Sequence, residues 1–233
     1  MGAIPLIEFP VEPLDWDALF PVRRPVQVEV GAGKGRFLIR AAEAEPGSNW
    51  IGLERRWSAL ALAVERIARR GLPNACYIRC DAMDVVRRLI PPASVAVFHV
   101  YYPDPWWKKR HRKRRVFQPA FVADLARGLT PGGQLRVATD VGEYFAEIQE
   151  VVAASGLFGP LELSDEAWGR SGEPMTSYEA KYLQLGRSPL RAAFLRGSAS
   201  APPPEPWVSR KPAGSPLADR LIKPKLLPER SRE

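Results

Sequence analysis

From residue 26 onward, short apolar runs alternate with longer stretches in which apolar residues recur at helical spacing. That alternation is the pattern of a parallel sheet covered by helices. Five runs read as buried strands: "VQVEV", "WIGLE", "CYIR", "VAVFHV" and "LRVAT". A helix from Arg36 to Ala44 follows a glycine turn, and a second, Ser58 to Arg70, has Ser58 as N-cap and Gly71 and Pro73 as stop signals. A third helix should follow Asp81, a fourth should run from about Pro119 to Leu129 before the turn "TPGG", and a fifth from about Gly142 to Ser155. "LFGPLELS" and "PLRAAFLR" flank "RSGEPMTSYEAKYLQLG" and read as two further strands that close the sheet as an antiparallel pair. The expected architecture is α/β and Rossmann-like, with a mostly parallel seven-stranded sheet, helices on both faces and an antiparallel C-terminal strand.

A chain of 233 residues can bury one α/β core with a small appendage, not a second large domain. Residues 1–24 form an N-terminal segment, 25–196 the folded domain, and 197–233 a basic tail that holds a third of the chain's 24 prolines. Such a tail cannot pack as a core and is expected to be flexible. No internal repeat is visible. The N-terminus lacks a basic start followed by an apolar stretch, and no segment offers about 18 uninterrupted apolar residues. A soluble, cytoplasmic protein without a membrane segment is expected. Cys76 and Cys80 in "CYIRCD" fit neither a zinc ligand set nor a disulfide framework, so they read as reduced thiols beside a strand, and no metal site is expected.

Charge changes the picture at one place. Lys and Arg number 34 against 26 Asp and Glu, a formal +8, and seven of the positive charges sit between Lys108 and Arg115. A local block of one sign attracts polyanions, because each phosphate it neutralises releases counterions. Read alone, the block equally fits a solvated arm.

"VEVGAGKGRF" places Gly31, Gly33 and Gly35 directly after the first strand, where the backbone must turn tightly and admit a ligand to the next helix's N-terminus. The spacing is G-x-G-x-G rather than G-x-G-x-x-G, and Lys34 is followed by Gly35 instead of Ser or Thr, so both phosphate-binding fingerprints lose ground. Acids stand at successive strand ends: Glu29, Glu54 and Asp81. Open parallel sheets bind ligands outside the carboxyl ends of their strands, and three carboxylates there would repel a pyrophosphate. They suit S-adenosylmethionine, which carries a sulfonium and an ammonium, no phosphate, and ribose hydroxyls that a carboxylate such as Glu54 can accept.

The strand "VAVFHV" leads directly into "YYPDPWWKKRHRKRRVFQP", which puts Asp104 at the fourth carboxyl end, beside the expected methyl donor. Pro103 and Pro105 fix two backbone torsions and remove two amide donors, so the loop is stiff and its carbonyls can accept hydrogen bonds. Trp106 and Trp107 can wall a planar base, while Lys108, Lys109, Arg110, Arg112, Lys113, Arg114 and Arg115 can hold phosphates on either side of it.

The order VEVGAGKG, GLE, CDA, YPDPWWKKRHRKRR with FQPAFV, VATD and TSYEAKYLQLG, over about residues 25 to 195, resembles the bacterial tRNA (guanine-N7)-methyltransferases. The resemblance implies a class I methyltransferase fold, S-adenosylmethionine as cofactor, and guanosine 46 of the tRNA variable loop as the base methylated. It implies donor-binding roles for Glu29, Glu54, Asp81 and Asp104, with Asp104 also the active-site residue. It implies tRNA or guanine contacts for Lys108, for Asp140 in "ATD", and for Thr176, Ser177, Tyr178 and Glu179 in "TSYE". Tyr101-Tyr102 stands where phenylalanines are commoner, and the tail after about Gly197 departs from the family.

Guanine N7 already holds an in-plane lone pair, so no general base is needed, and the enzyme's work is alignment and electrostatic stabilisation. Glu179 or Asp140 could accept the N1–H and amino donors of the guanine edge. Two rivals remain. An exocyclic-amine methyltransferase would use an Asp/Asn-Pro-Pro-aromatic motif that "PDPW" superficially approaches, and a non-catalytic tRNA-binding protein could keep the fold without the cofactor. Whether the chain is a monomer or a dimer is not legible.

Overall fold

Helices cover both faces of the sheet, so the central strand Val26–Val30 (β2) is buried at all five positions, its polar Gln27 and Glu29 included. A computed structural model describes residues 6–165, 167–168, 176–184, 186, 189–199 and 201; the tail beyond lies outside the described residues. The strands are Leu6–Glu8 (β1), β2, Asn49–Glu54 (β3), Ala75–Arg79 (β4), Val95–Tyr101 (β5), Leu129–Thr139 (β6), Phe158–Leu161 (β7) and Leu190–Arg196 (β8). The helices are Trp16–Leu19 (α1), Arg36–Ala44 (α2), Trp57–Arg70 (α3), Ala82–Arg88 (α4), Pro119–Gly128 (α5), Gly142–Ala154 (α6) and Ser177–Gln184 (α7), with a 3-10 turn at Lys109–Arg114. The sheet order is β1-β4-β3-β2-β5-β6-β8-β7. Every pairing is parallel except those of β8, which runs antiparallel to β6 and β7.

The sheet has eight strands where seven were expected. The extra one, β1, is three residues long and pairs Leu6 with Tyr77 at the β4 edge. Its anchor is long-range: Arg79 donates to Glu8 at 3.1 Å and lies over the Phe9 ring at 5.0 Å. A three-residue strand has no periodicity to read, so pattern alone could not show it.

Helix boundaries follow the stop and start signals with two exceptions. Ser58 does not cap α3; the helix begins at Trp57, and the Arg56 amide donates instead to the Glu54 carboxylate at 2.7 Å. "TPGG" does not separate α5 from a later strand but lies within β6 as a bulge. There the pairing jumps from Val95 with Leu129 to Val97 with Gln134.

Alternation along the strands sorts the core into two layers. Trp50 and Tyr77 pack with Leu38 of α2 and with Leu60, Ala63 and Ile67 of α3. Val28, Ile51, Ile78 and Phe98 face the other way, onto Val85 of α4, Phe121 and Leu125 of α5 and Ile148 of α6. Gly52 keeps this arrangement possible, because a Cβ there would stand 2.7 Å from the Tyr77 ring. Burial pushes the thiols of Cys76 and Cys80 up to about 12, which keeps both protonated and unreactive. Among the described residues no helix is long and apolar enough to cross a membrane.

Candidate active site

Where β2 ends, the chain turns through Gly31, Gly33 and Gly35, all with left-handed φ, before α2 begins. Two of these glycines are needed for different reasons. A Cβ on Gly31 would meet nothing within 4 Å, so that face of the turn is open to a ligand. A Cβ on Gly35 would stand 2.7 Å from the Tyr77 hydroxyl and 3.1 Å from Ala63, so Gly35 serves close packing of α2 against α3 and β4.

The three acids at strand ends differ in how they are held. Glu54 is buried, and its two oxygens accept from the Gly33 amide (3.0 Å) and the Arg56 amide (2.7 Å), which fixes the carboxylate while leaving lone pairs for further donors. Asp81 caps α4 through a bond from the Met83 amide at 3.1 Å, and its other oxygen lies 3.8 Å from Arg55. Glu29 is buried under α2. Its Oε2 has no hydrogen-bond partner, and burial pushes its carboxyl up to about 8, against the lowering effect of the Leu38 amide. A buried carboxyl with one orphaned oxygen beside an open glycine turn, with Glu54 one strand away, fits a ligand that brings a cationic end and hydroxyl donors.

β5 is the neighbour of β2 and delivers the next loop to the same edge. Tyr102 (φ +50°) and Trp106 (φ +43°) bracket Pro103-Asp104-Pro105, so two non-glycine residues hold left-handed backbone, a strain of roughly 1–3 kcal/mol each. The Tyr102 amide donates to the Ala138 carbonyl of β6 at 2.7 Å, and Asp104 is presented to solvent.

Arg115 corrects the expectation that the whole basic run meets phosphate. It is 1% exposed, donates through Nε to the Pro105 carbonyl at 2.8 Å, pairs with Glu147 of α6, and lies over the Tyr144 ring at 4.6 Å. It is a clamp on the Asp104 loop, out of reach of an external ligand. Arg112 is ion-paired with Glu143. Lys108, Lys109, Arg110, Lys113 and Arg114 are exposed. The two tryptophans also divide: Trp106 supports the basic turn, with Arg114 over its ring at 5.0 Å and His111 edge-on at 5.8 Å, whereas Trp107 is 68% exposed.

Asp140 follows β6 and is half-buried, at the strand end next to that of β5. Thr176 is buried and its hydroxyl accepts from the Glu179 amide at 3.0 Å, starting α7. Glu179 is buried and ion-paired with Arg191 of β8. Ser177 and Tyr178 stand on α7, and their side chains lie outside the described residues.

One polar chain escaped the sequence reading. Gln27 donates to Glu45 (3.0 Å) and Ser48 (3.1 Å), so its carbonyl oxygen faces His99 Nε2 at 2.9 Å, and His99 Nδ1 is 2.9 Å from the Tyr101 hydroxyl. That order puts the imidazole proton on Nε2, donated to Gln27, and the Tyr101 hydroxyl donates to Nδ1. Burial holds His99 neutral, well below the ordinary histidine range. Its only sequence signal is a histidine inside an otherwise apolar strand.

A mostly parallel sheet with a glycine turn after its central strand and carboxylates at consecutive strand ends defines a class I methyltransferase. Solved structures share the fold: the 16S rRNA methyltransferase KamB aligns with a TM-score of 0.54 at 21% identity over 80% of this chain and 94% of its own. A 16S rRNA (adenine(1408)-N(1))-methyltransferase from Catenulisporales acidiphilia aligns at 0.52 and 18% identity, over 76% and 88%. Residues 23–192 match the family described as "Putative methyltransferase". Relatives named tRNA (guanine-N(7)-)-methyltransferase are 38% identical in Bordetella pertussis (82% of this chain, 74% of the relative) and 41% identical in Nocardia farcinica (75% and 68%). The chain belongs to the tRNA (guanine-N(7)-)-methyltransferase family.

Proposed function

We propose that this protein methylates N7 of guanine in tRNA with S-adenosylmethionine as donor, and that the base is guanosine 46 of the variable loop. The observation that carries the reading is the meeting, at the ends of neighbouring strands β2 and β5, of an open glycine turn and an exposed Asp104 backed by a basic turn. Such a substrate places the protein in the cytoplasm, and 25–196 is its catalytic domain.

When bound, S-adenosylmethionine supplies an electrophilic methyl on a positively charged sulfur. Glu54, already fixed by two amides, accepts the ribose hydroxyls through its remaining lone pairs, and Asp81 lies at the next strand end. Glu29 ionises against the cationic end of the donor, since an opposite charge nearby offsets its desolvation. Asp104 stands beside the reacting centre and stabilises positive charge as it reaches the purine; it abstracts no proton, because N7 offers a lone pair. The gain is alignment and preorganised charge.

Trp107 is the open ring on which the splayed base stacks, and Lys108 is the first cation beyond it. Asp140, half-buried at the end of β6, or Glu179, ion-paired with Arg191, reads the guanine edge. Lys109, Arg110, Lys113 and Arg114 hold flanking phosphates.

Transfer of labelled methyl to unmodified tRNA, but not to tRNA with guanosine 46 replaced, tests the reading. A nucleoside digest analysed by mass spectrometry separates 7-methylguanosine from the amine-methylated products of the rival chemistry. Absence of donor binding by calorimetry would leave only a tRNA-binding protein.

A further inference from the structure

A cleft of about 360 Å³ opens between α2 and α3, and none of the acidic residues at the strand ends lines it. Its charged lining is five arginines, Arg36 and Arg40 from α2 with Arg66, Arg69 and Arg70 from α3. So many like charges around one concavity repel one another, which is a cost that folding alone does not require. Arg70 pairs with Glu43 at 2.7 Å. Neutral groups position two of the guanidiniums: Arg66 donates to the Lys34 carbonyl at 3.0 Å and Arg70 to the Arg66 carbonyl at 3.4 Å. A carbonyl orients a guanidinium without cancelling its charge, so the cleft is both preorganised and cationic.

The lining also says what kind of anion fits. Apart from the arginines it contains Gly35 and Ile39, with no aromatic ring to stack a base and no carboxylate to read a sugar. That is recognition of phosphate alone, which fixes orientation and carries no sequence information. Arg36 and Arg40, one helical turn apart on α2, stand on one face, so charge is spread along a track instead of gathered at a point. The track joins the reaction site through Gly35, which lines the cleft and also ends the glycine turn after β2, the neighbour of the strand that carries Asp104.

We propose that the cleft between α2 and α3 grips the phosphodiester backbone of the tRNA at a distance from the methylated base, as a second anchor independent of Lys108–Arg114. The proposal rests on tRNA being the substrate. It divides recognition between two surfaces: the Trp107 region handles the reacting nucleotide, and the arginine cleft sets how the folded RNA lies across the sheet edge.

The test is the double variant Arg40→Gln with Arg69→Gln, which spares Arg36 beside the glycine turn and the carbonyl-bound Arg66 and Arg70. The control, Arg23→Gln with Arg88→Gln, removes the same charge at positions that do not line the cleft. The log-log salt dependence of tRNA binding should flatten by about 1.4 to 1.8 in the cleft variant, at roughly 0.7 to 0.9 per lost contact. At about 0.15 M salt the same release of counterions predicts a roughly tenfold rise in the KM for tRNA. The turnover number at saturating tRNA and the donor dissociation constant should stay within twofold of the parent. A cleft variant whose slope and KM match those of the control overturns the proposal. So does a thermal shift with inorganic phosphate that the cleft variant loses while its tRNA slope is kept, since that assigns the cleft to a small anion. Binding slopes need no turnover, so a parent protein that fails to methylate tRNA sinks the proposed reaction and leaves the cleft still to be decided by these slopes.

Discussion

Arg115→Lys separates a clamp from a phosphate contact. Lysine keeps the charge and can still approach Glu147, but it lacks the planar fork that reaches the Pro105 carbonyl at 2.8 Å while lying over Tyr144 at 4.6 Å. Losing that one bond inside the protein costs about 1–3 kcal/mol, because the carbonyl is left without its donor. Glu147 is 31% exposed and can recover solvation, so the penalty for disturbing the ion pair falls below the roughly 3–5 kcal/mol typical of a fully buried one. A total near 2 kcal/mol leaves most molecules folded, given about 5–15 kcal/mol for a domain.

The loop, however, holds two strained residues, and releasing its anchor lets Asp104 drift. A displacement of about 1 Å at a reacting centre can cost on the order of a hundredfold in rate. Single-turnover methyl transfer should therefore slow by about ten- to a hundredfold, with the KM for tRNA and the salt dependence of its binding unchanged. Arg115→Ala should behave alike with a larger fall in melting temperature. The reverse result, parent-like turnover with a salt slope lower by about 0.7 to 0.9, is the signature of a phosphate contact and refutes the clamp.

Asp104→Ala should remove most methyl transfer while tRNA affinity stays within a few fold; turnover like the parent's would end its assignment to the reacting centre. Glu54→Ala should weaken donor binding by about 1–3 kcal/mol, measured by calorimetry, and also lower the melting temperature, because the Gly33 and Arg56 amides lose their acceptor. Glu29 has its folded pKa raised from 4.5 to about 8, so between those values the native state holds a proton that the unfolded state has lost. Stability contributed by the protonated group is then complete below pH 4.5 and lost as pH rises through about 8. The donor-free protein should melt at falling temperature from pH 5 to 9, and Glu29→Gln should flatten that fall. Equal profiles for the two proteins would place Glu29 in a wetter site.

Much of the fold was legible because it rests on local signals. β2 to β5 and the second half of β6 are short, mostly apolar runs of the right length, and α2 begins and ends where the glycine turn and the loss of period require. What was not legible depends on partners distant in sequence. β1 exists because Leu6 meets Tyr77 and Glu8 meets Arg79, some seventy positions apart, and the bulge at "TPGG" exists because Gly133 must pass the Ala96 carbonyl, which a Cβ would approach to 3.1 Å. Ser58 is a good cap by type but stands second in its helix, after Glu54 has already satisfied the entering amide.

The candidate site shows a sharper version of the same limit. Composition identifies "WWKKRHRKRR" as a cationic, aromatic block but assigns every member the same work, since charge is a property of residue type and exposure is not. Folding a short 3-10 turn against α6 sorts the block by direction. Trp106 and Arg115 turn inward, where one supports Arg114 and the other holds the Pro105 carbonyl, while Trp107, Lys108, Lys109, Arg110, Lys113 and Arg114 stay exposed. Glu147 is what decides the case of Arg115: its carboxylate and the Pro105 carbonyl together replace the water that the guanidinium loses, and α6 supplies the carboxylate from thirty-two residues away. The stiffness of the Asp104 loop thus comes from its prolines and equally from Arg115, a buried arginine at the end of a mostly exposed basic run.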